Sequence, residues 1–179
     1  MKRLFLMAGL LSIALAIGAR AEDKPGAPKA AAATNPAFEQ LKKLAGTWVM
    51  ADKDGKPTDQ VASIIKVTAG GSAVQETIFP GQPMEMLSVY HMDGPDLVMT
   101  HYCMLGNQPK MKADPKSPKN EIRFQFAGGT GFDPAKDMHM HEGTLTILDD
   151  DHIEFSGMAW VNGKPAQDHC ETHKLLRKK

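Results

Sequence analysis

The feature that most constrains this chain is a two-residue alternation of apolar and polar side chains that recurs from Thr47 to the last residues. It is clearest over residues 121–127, where Ile122, Phe124 and Phe126 alternate with polar side chains. Successive residues of a β-strand point to opposite faces of the sheet. The alternation therefore predicts strands that bury one face.

The alternation divides the chain into short candidate strands. They lie at Thr47–Ala51, Val61–Ala69, Ala73–Phe79, Met84–Met92, Leu97–Met104, Glu121–Ala127, Met138–Leu148, His152–Val161 and His169–Leu176, with a weaker one at Lys110–Ala113. Turn sequences such as Asp93-Gly94 and Asn162-Gly163 separate them. This pattern predicts an all-β fold, an antiparallel up-and-down barrel of about 8–10 strands, with a two-sheet sandwich as the alternative.

Three segments of a different character precede the strands. Residues 1–21 combine a basic start, an uncharged apolar run and a small-residue site at Ala19-Arg20-Ala21, which predicts a cleavable secretory signal peptide. The protein is therefore expected to be periplasmic or secreted. Residues 22–35 are rich in Ala, Pro, Lys and Gly and predict a disordered linker. Asn35-Pro36 then predicts the cap and first residue of one short N-terminal helix, which begins a single domain over residues 36–179.

The charge balance argues against nucleic acid as a partner. The chain has 21 basic and 21 acidic side chains, and removal of Lys2, Arg3 and Arg20 with the signal peptide leaves the acidic ones in slight excess. Nucleic-acid-binding proteins show a clustered basic face, and only the tail 174–179 is locally basic. After cleavage no apolar run approaches the roughly 20 residues of a membrane span. A signal peptide retained as an anchor is the alternative.

The two cysteines, Cys103 and Cys170, are a candidate disulfide. In an oxidising compartment an even pair is more often bonded than free. Two buried free thiols that pack as small apolar groups are the alternative. Around Cys170 the alternation places His169 and His173 on the opposite face, which predicts that these histidines are solvated strand residues.

The segment Leu44-Ala45-Gly46-Thr47-Trp48, following a short helix, resembles the Gly-x-Trp entry of the lipocalin-like (calycin) β-barrels. The resemblance implies that Trp48 closes one end of the barrel and packs against a basic side chain of the last strand, here Arg177. Gly46, Trp48 and Arg177 are therefore the expected barrel-closure residues. The stretch from Glu76 to Pro109 is also similar to uncharacterised exported bacterial proteins with a lipocalin-like domain of unknown function. This likeness implies a fold and a location, and no activity.

The hairpin around Asp93-Gly94 carries the candidate ligand pocket. With a two- or four-residue loop, alternate residues of its two strands share one face: Met84, Met86, Ser88 and Tyr90 with Leu97, Met99, His101 and Cys103. Methionine lines adaptable apolar pockets, and a closed barrel of about eight strands leaves room for one small ligand. We therefore predict an exported barrel that binds a small apolar molecule without a required cofactor, in a pocket lined by Met84, Met86, Tyr90, Met99 and His101.

A second hypothesis is a metal- or haem-binding protein that uses His101, His139 and His141. If the strand through Gly143 has no bulge, His139 and His141 share the inward face. Three histidines with an open position suit zinc, and a face of methionine, histidine and cysteine suits Cu(I). A glycine within a strand often marks a bulge, however, and a bulge would reverse this parity.

A third hypothesis is a barrel enzyme whose buried carboxylates act as acid and base, for which Glu76 and Glu85 are the candidates. The sequence defines no catalytic set around them. The glycine-rich segment 127–131 leads to Phe132 and another strand rather than into a helix. It therefore predicts a flexible loop at the barrel rim and not a phosphate-binding loop.

Overall fold

The computed structural model describes residues 35–179, so the predicted signal peptide (1–21) and all of the predicted linker except Asn35 lie outside the described residues. Within this range the chain forms one α-helix, α1 (Pro36–Lys43), and ten strands. The strands are β1 (Gly46–Ala51), β2 (Pro57–Thr68), β3 (Ala73–Ile78), β4 (Met86–Asp93), β5 (Asp96–Tyr102), β6 (Gln108–Ala113), β7 (Glu121–Thr130), β8 (His139–Ile147), β9 (His152–Val161) and β10 (Lys164–Arg177).

The ten strands close into a barrel. Each strand pairs antiparallel with its neighbours in sequence, and β1 pairs with β10 with Trp48 opposite Arg177. Closure removes the open sheet edges that a sandwich would leave. The predicted antiparallel up-and-down barrel with one short N-terminal helix is therefore confirmed, and the sandwich alternative is wrong.

The helix α1 forms where the sequence places its cap. The Asn35 side chain accepts hydrogen bonds from two backbone N–H groups of the first turn, at 3.0 and 3.3 Å. Phe38, Leu41 and Leu44 lie on one side and are buried in the core. Across residues 35–179, no helix combines the length and apolar character that a membrane span requires.

The connections alternate between the two ends of the barrel, and α1 lies at one of them. The Asn35 amide donates to the carbonyl of Pro95 between β4 and β5 (3.3 Å), and the Gln40 amide donates to the carbonyl of Lys119 between β6 and β7 (2.7 Å). We call this end, which α1 covers, the closed end.

The opposite end is called the open end. It carries the connections between β3 and β4 (79–85), β5 and β6 (103–107), and β7 and β8 (131–138). Three large apolar side chains of these connections are exposed there: Met84, Met104 and Leu105. We refer to these three residues as the apolar rim.

The segment 127–131 is not the flexible loop that the sequence predicted. β7 continues to Thr130, which pairs with Gln108, and Gly129 pairs with Pro109. A Cβ at Gly129 would lie 2.8 Å from the carbonyl oxygen of Gln108 and against the ring of Phe132. Glycine is therefore used here for close packing within a strand, and the prediction was wrong.

The other strand predictions agree with the structure except at three places. β2 begins at Pro57, before the predicted start at Val61. The weak candidate at Lys110–Ala113 is part of a complete strand, β6. β10 begins at Lys164, before the predicted start at His169, and its register with β9 shifts between Pro165 and Cys170. An irregular register of this kind interrupts the alternation on which the prediction depends.

Candidate ligand-binding cavity

A cavity of about 460 Å³ lies inside the barrel and reaches the open end. Inward-facing strand residues such as Tyr90 and Phe155 form its walls. The apolar rim and Phe79 surround its mouth. Since α1 covers the other end, the open end is the route by which a molecule would enter.

The structure places four of the five predicted pocket residues around this cavity. Met84, Met86, Tyr90 and His101 line it. The β4–β5 hairpin has a two-residue loop, and its register pairs Ser88 with His101. The shared face follows from this register, as the alternation predicted.

Met99 is the exception among the five. It pairs with Tyr90 across the hairpin and is 1% exposed, but it belongs to the packed core and not to the cavity lining. β5 runs from the closed end to the open end, so Met99 lies deeper than His101 and packs below the cavity. The alternation gave the correct face for Met99 and left its depth along the barrel undetermined.

A carboxylate with two hydrogen-bond donors lies in the cavity wall. Glu76 Oε1 accepts a hydrogen bond from the hydroxyl of Ser63 (2.7 Å), and its Oε2 accepts one from the phenol of Tyr90 (2.6 Å). Burial, together with the negative charge of Glu76, raises the pKa of Tyr90 well above its usual value. Tyr90 therefore stays protonated and acts as a donor.

His101 forms a second polar contact in the same wall. Its Nδ1 lies 3.0 Å from the hydroxyl of Ser88, and both residues are buried. Burial lowers the pKa of His101 to about 4, because a cation loses solvation in the barrel interior. The imidazole is therefore neutral at neutral pH and adds no positive charge to the cavity.

His139 and His141 contact each other. A bulge between Met140 and Glu142 interrupts β8, and the His139 Nε2 lies 3.0 Å from the His141 Nδ1. The other nitrogen of His139, Nδ1, lies 2.9 Å from the carbonyl oxygen of Asp137. Both ring nitrogens of His139 therefore have hydrogen-bond partners within the protein.

The three predicted metal ligands are not brought together. Across residues 35–179, apart from side chains whose placement is too uncertain to describe, no three His, Cys, Asp or Glu residues could hold one metal ion. The bulge changes which residues of β8 face the barrel interior. Gly143 had indicated such a bulge as the alternative to a regular strand. His139 lines the cavity, but His141 does not.

Instead, His139 and His141 belong to a group of five aromatic rings near the open end. His141 stacks on Trp160 with ring centroids 3.8 Å apart, and it also stacks on Phe126 at 4.8 Å. Phe132 contacts both Phe126 and His139. We call these five residues the ring cluster; stacked and edge-to-face rings of this kind hold one another in place.

The remaining candidates from the sequence are dispersed. Glu85 is exposed and accepts a hydrogen bond from the backbone of Gly81, so its prediction as a buried acid or base was wrong. Cys103 and Cys170 are both free thiols in the structure, and no bond joins them. Cys103 lies at the cavity with its Sγ 4.0 Å from the Met86 sulfur, whereas Cys170 is exposed.

Several cavity residues were not predicted from the sequence. Ser63 lies on the same strand face as the apolar residues Ile65 and Val67. A lone polar residue on such a face was the signal that could have identified it as a cavity residue. His173 was interpreted as solvated, but it is half-buried, lines the cavity and contacts the ring of Phe79 edge to face at 5.8 Å.

Three residues meet at the closed end. Trp48 is fully buried, and its indole N–H donates to the carbonyl of Leu44 (2.9 Å). The guanidinium of Arg177 lies over the Trp48 ring. Gly46 has φ +145°, and a Cβ there would lie 2.8 Å from the Arg177 Nη1. A side chain at this position would therefore strain the backbone and displace the Arg177 guanidinium.

No protein-family model matches the chain. No curated protein matches it significantly either. The resemblance to lipocalin-like barrels therefore depends on the closed antiparallel barrel and on the contact among Gly46, Trp48 and Arg177.

Proposed function

We propose that this protein is an exported binding protein that holds a small, largely apolar molecule inside its barrel. The observation that carries the proposal is the cavity at the open end. Its volume of about 460 Å³ falls in the range of small-molecule sites, roughly 300–1,000 Å³. Such sites are mainly apolar with a few convergent polar groups, and the contacts of Glu76 and His101 supply those groups here.

The composition of the walls supports an adaptable apolar site. Methionine is unbranched and polarizable, so it adjusts to ligands of different shape. Six methionines line the cavity: Met84, Met86, Met104, Met138, Met140 and Met158. A wall built in this way favours binding through shape and dispersion contacts with an apolar body.

The backbone at the mouth is a second support. Phe79 has φ +49°, which is unusual for a bulky residue and costs about 1–3 kcal/mol. Its N–H donates to the carbonyl of Ala62 (2.8 Å), and its side chain lines the cavity. Strain of this kind concentrates at ligand sites, where the surrounding structure maintains it.

The test uses the full chain, produced with its own leader and purified without detergent. Native mass spectrometry is expected to show a co-purifying molecule of one defined mass, and the same spectrum shows whether residues 1–21 are removed. After extraction, N-phenyl-1-naphthylamine, a neutral apolar probe, is expected to bind saturably with one molecule per chain. A chain that purifies empty and also fails to bind the probe would refute the proposal.

A further inference from the structure

Four polar residues of the cavity lie on one wall. Ser63 lies on β2, Glu76 on β3, Tyr90 on β4 and His101 on β5, and these four strands are consecutive neighbours in the barrel. The other strands contribute mainly apolar residues such as Phe155, together with His139 of β8 and His173 of β10. Among the described lining residues only this wall carries a carboxylate, which suits a molecule whose single polar head binds there.

The charge of that wall is negative. Among the described residues that line the cavity, Glu76 is the sole carboxylate, and there is no lysine or arginine. His101 does not offset the charge, because its burial keeps the imidazole neutral. Glu76 is thus held by neutral hydrogen-bond donors, and no lysine or arginine among the described lining residues offsets its charge.

The carboxylate also has unused capacity to accept hydrogen bonds. An ionised carboxylate offers about four lone-pair positions on its two oxygens. Ser63 and Tyr90 occupy one position on each oxygen. Further donors from a ligand can therefore bind to Glu76 without displacing either residue.

We propose that Glu76 recognises a protonated amine, so that the ligand class is an amphipathic amine with an apolar body and one ammonium head. This inference rests on the proposed function of the cavity. An ammonium group has three donors and no acceptor, which matches the unused positions of Glu76. Hydrogen bonds between ionised partners are shorter and stronger than neutral ones.

The same wall disfavours a carboxylate ligand such as a fatty acid. A second negative charge beside Glu76 would be repelled, and no lysine or arginine among the described lining residues would compensate for it. Two carboxyl groups in one site bind together only if one of them takes a proton. A neutral alcohol of the same length falls between the two cases, because it gives one hydrogen bond without a charge.

The experiment compares three probes of equal length: decylamine, 1-decanol and decanoate. Each is titrated at neutral pH, below its micelle concentration, against the full-length protein loaded with N-phenyl-1-naphthylamine. Decylamine is expected to bind about tenfold more tightly than 1-decanol, because the ammonium adds a positive charge and further donors to the one hydrogen bond that the alcohol gives. Decanoate is expected to bind more weakly than 1-decanol. This order needs no variant, so it tests the inference even if a substitution at Glu76 fails to fold.

The variant Glu76→Gln removes the charge and keeps one carbonyl oxygen, which can accept from the phenol of Tyr90, while its amide N–H can donate to the hydroxyl oxygen of Ser63. It is expected to lose the preference for decylamine over 1-decanol, whereas Glu85→Gln, which removes an exposed carboxylate outside the cavity, is expected to keep it. Equal affinities for the three probes, a preference for decanoate, or an unchanged preference in Glu76→Gln would overturn the inference and leave the cavity function intact. Absence of binding by all three probes and by N-phenyl-1-naphthylamine would instead refute the cavity function itself.

Discussion

The guanidinium carbon of Arg177 lies 4.4 Å from the centroid of the Trp48 ring, and the two residues are direct partners across the β1–β10 seam. Arg177 also donates hydrogen bonds to the backbone carbonyls of Ala45 (2.9 Å), Lys43 (3.3 Å) and Asp150 (2.7 Å). One side chain therefore joins the end of α1, the start of β1 and the β8–β9 connection. This is the point at which the last strand completes the barrel.

The substitution Arg177→Lys is expected to destabilise the barrel by about 2 kcal/mol, because lysine keeps the charge but cannot supply the planar set of donors or the same stacking. Urea unfolding followed by tryptophan fluorescence measures the loss. Lys178→Ala, at the exposed neighbouring position, is the matched control and should unfold close to the wild-type midpoint. If Arg177→Lys and wild type have the same unfolding midpoint, Arg177 does not stabilise the closure.

Burial of His101 predicts a specific dependence of stability on pH. Its pKa is about 4 in the folded protein and 6.5 at its ordinary value. Between these values the unfolded chain binds a proton that the folded protein does not bind. Stability is therefore complete above about pH 6.5 and falls as the pH is lowered toward 4, by about 2 to 3 kcal/mol at about pH 4.5.

The variant His101→Gln isolates this effect, because glutamine is neutral at every pH in this range. The free energy of unfolding in urea is measured at about pH 7 and about pH 4.5. The difference between the two values is then compared for the wild type, His101→Gln and the control His91→Gln. We expect the difference to be smaller in His101→Gln by about 2 to 3 kcal/mol. His91→Gln, on the outer face of β4, should behave as wild type. An equal pH difference in all three proteins would contradict the assignment.

A side chain introduced at a glycine of the cavity wall is expected to weaken ligand binding without lowering the stability of the barrel. Gly157 lines the cavity, and a Cβ there would meet only the Phe155 ring, at an ordinary contact distance of 3.6 Å. Gly157→Val therefore occupies ligand space, and we expect the affinity for N-phenyl-1-naphthylamine to fall about tenfold or more. Stability should stay the same or rise by about 0.5–1 kcal/mol, because glycine weakens a strand.

The control for this variant is Ser156→Val, which adds the same side chain at the adjacent position, on the other face of β9. It should leave the affinity for the probe unchanged. Fluorescence titration and urea unfolding on the same samples provide both measurements. Unimpaired binding by Gly157→Val would show that the probe binds elsewhere than in this cavity.

The sequence predicted the barrel and the face of the β4–β5 hairpin because both depend on local patterns. Two-residue alternation determines which side chains face inward, and the short turn at Gly94 fixes the register that pairs Ser88 with His101. These constraints act over a few residues and are visible in the sequence. They do not determine how far along the barrel a residue lies, which is why Met99 was assigned to the cavity and lies in the core.

The sequence also failed where the chain departs from regular pairing. The bulge in β8 adds one residue between Met140 and Glu142 and changes the parity on which the metal hypothesis depended. Glu85 precedes the start of β4 at Met86, so strand alternation does not apply to it. Gly143 indicated that a bulge was possible in β8, but the sequence did not show whether or where it would form.

The hydrogen bonds of His139 predict its tautomer. A carbonyl oxygen only accepts, so the contact with Asp137 requires a proton on the His139 Nδ1. In the neutral ring the Nε2 then accepts a hydrogen bond from the His141 Nδ1. Long-range ¹H–¹⁵N spectra are expected to show both histidines protonated at Nδ1. Protonation of either neutral ring at Nε2 alone would contradict this arrangement.

The same pair predicts how one histidine affects the other. Partial burial, followed by repulsion from the neighbouring His139, lowers the pKa of His141 below its ordinary value of 6.5. His139→Gln removes the repulsion and leaves the partial burial, so the pKa of His141 is expected to rise without reaching the ordinary value. Titration of the His141 ring signals by NMR measures the change, and His91→Gln serves as the control. If the pKa of His141 is unchanged or falls in His139→Gln, the two rings are not electrostatically coupled, and burial alone accounts for the shift.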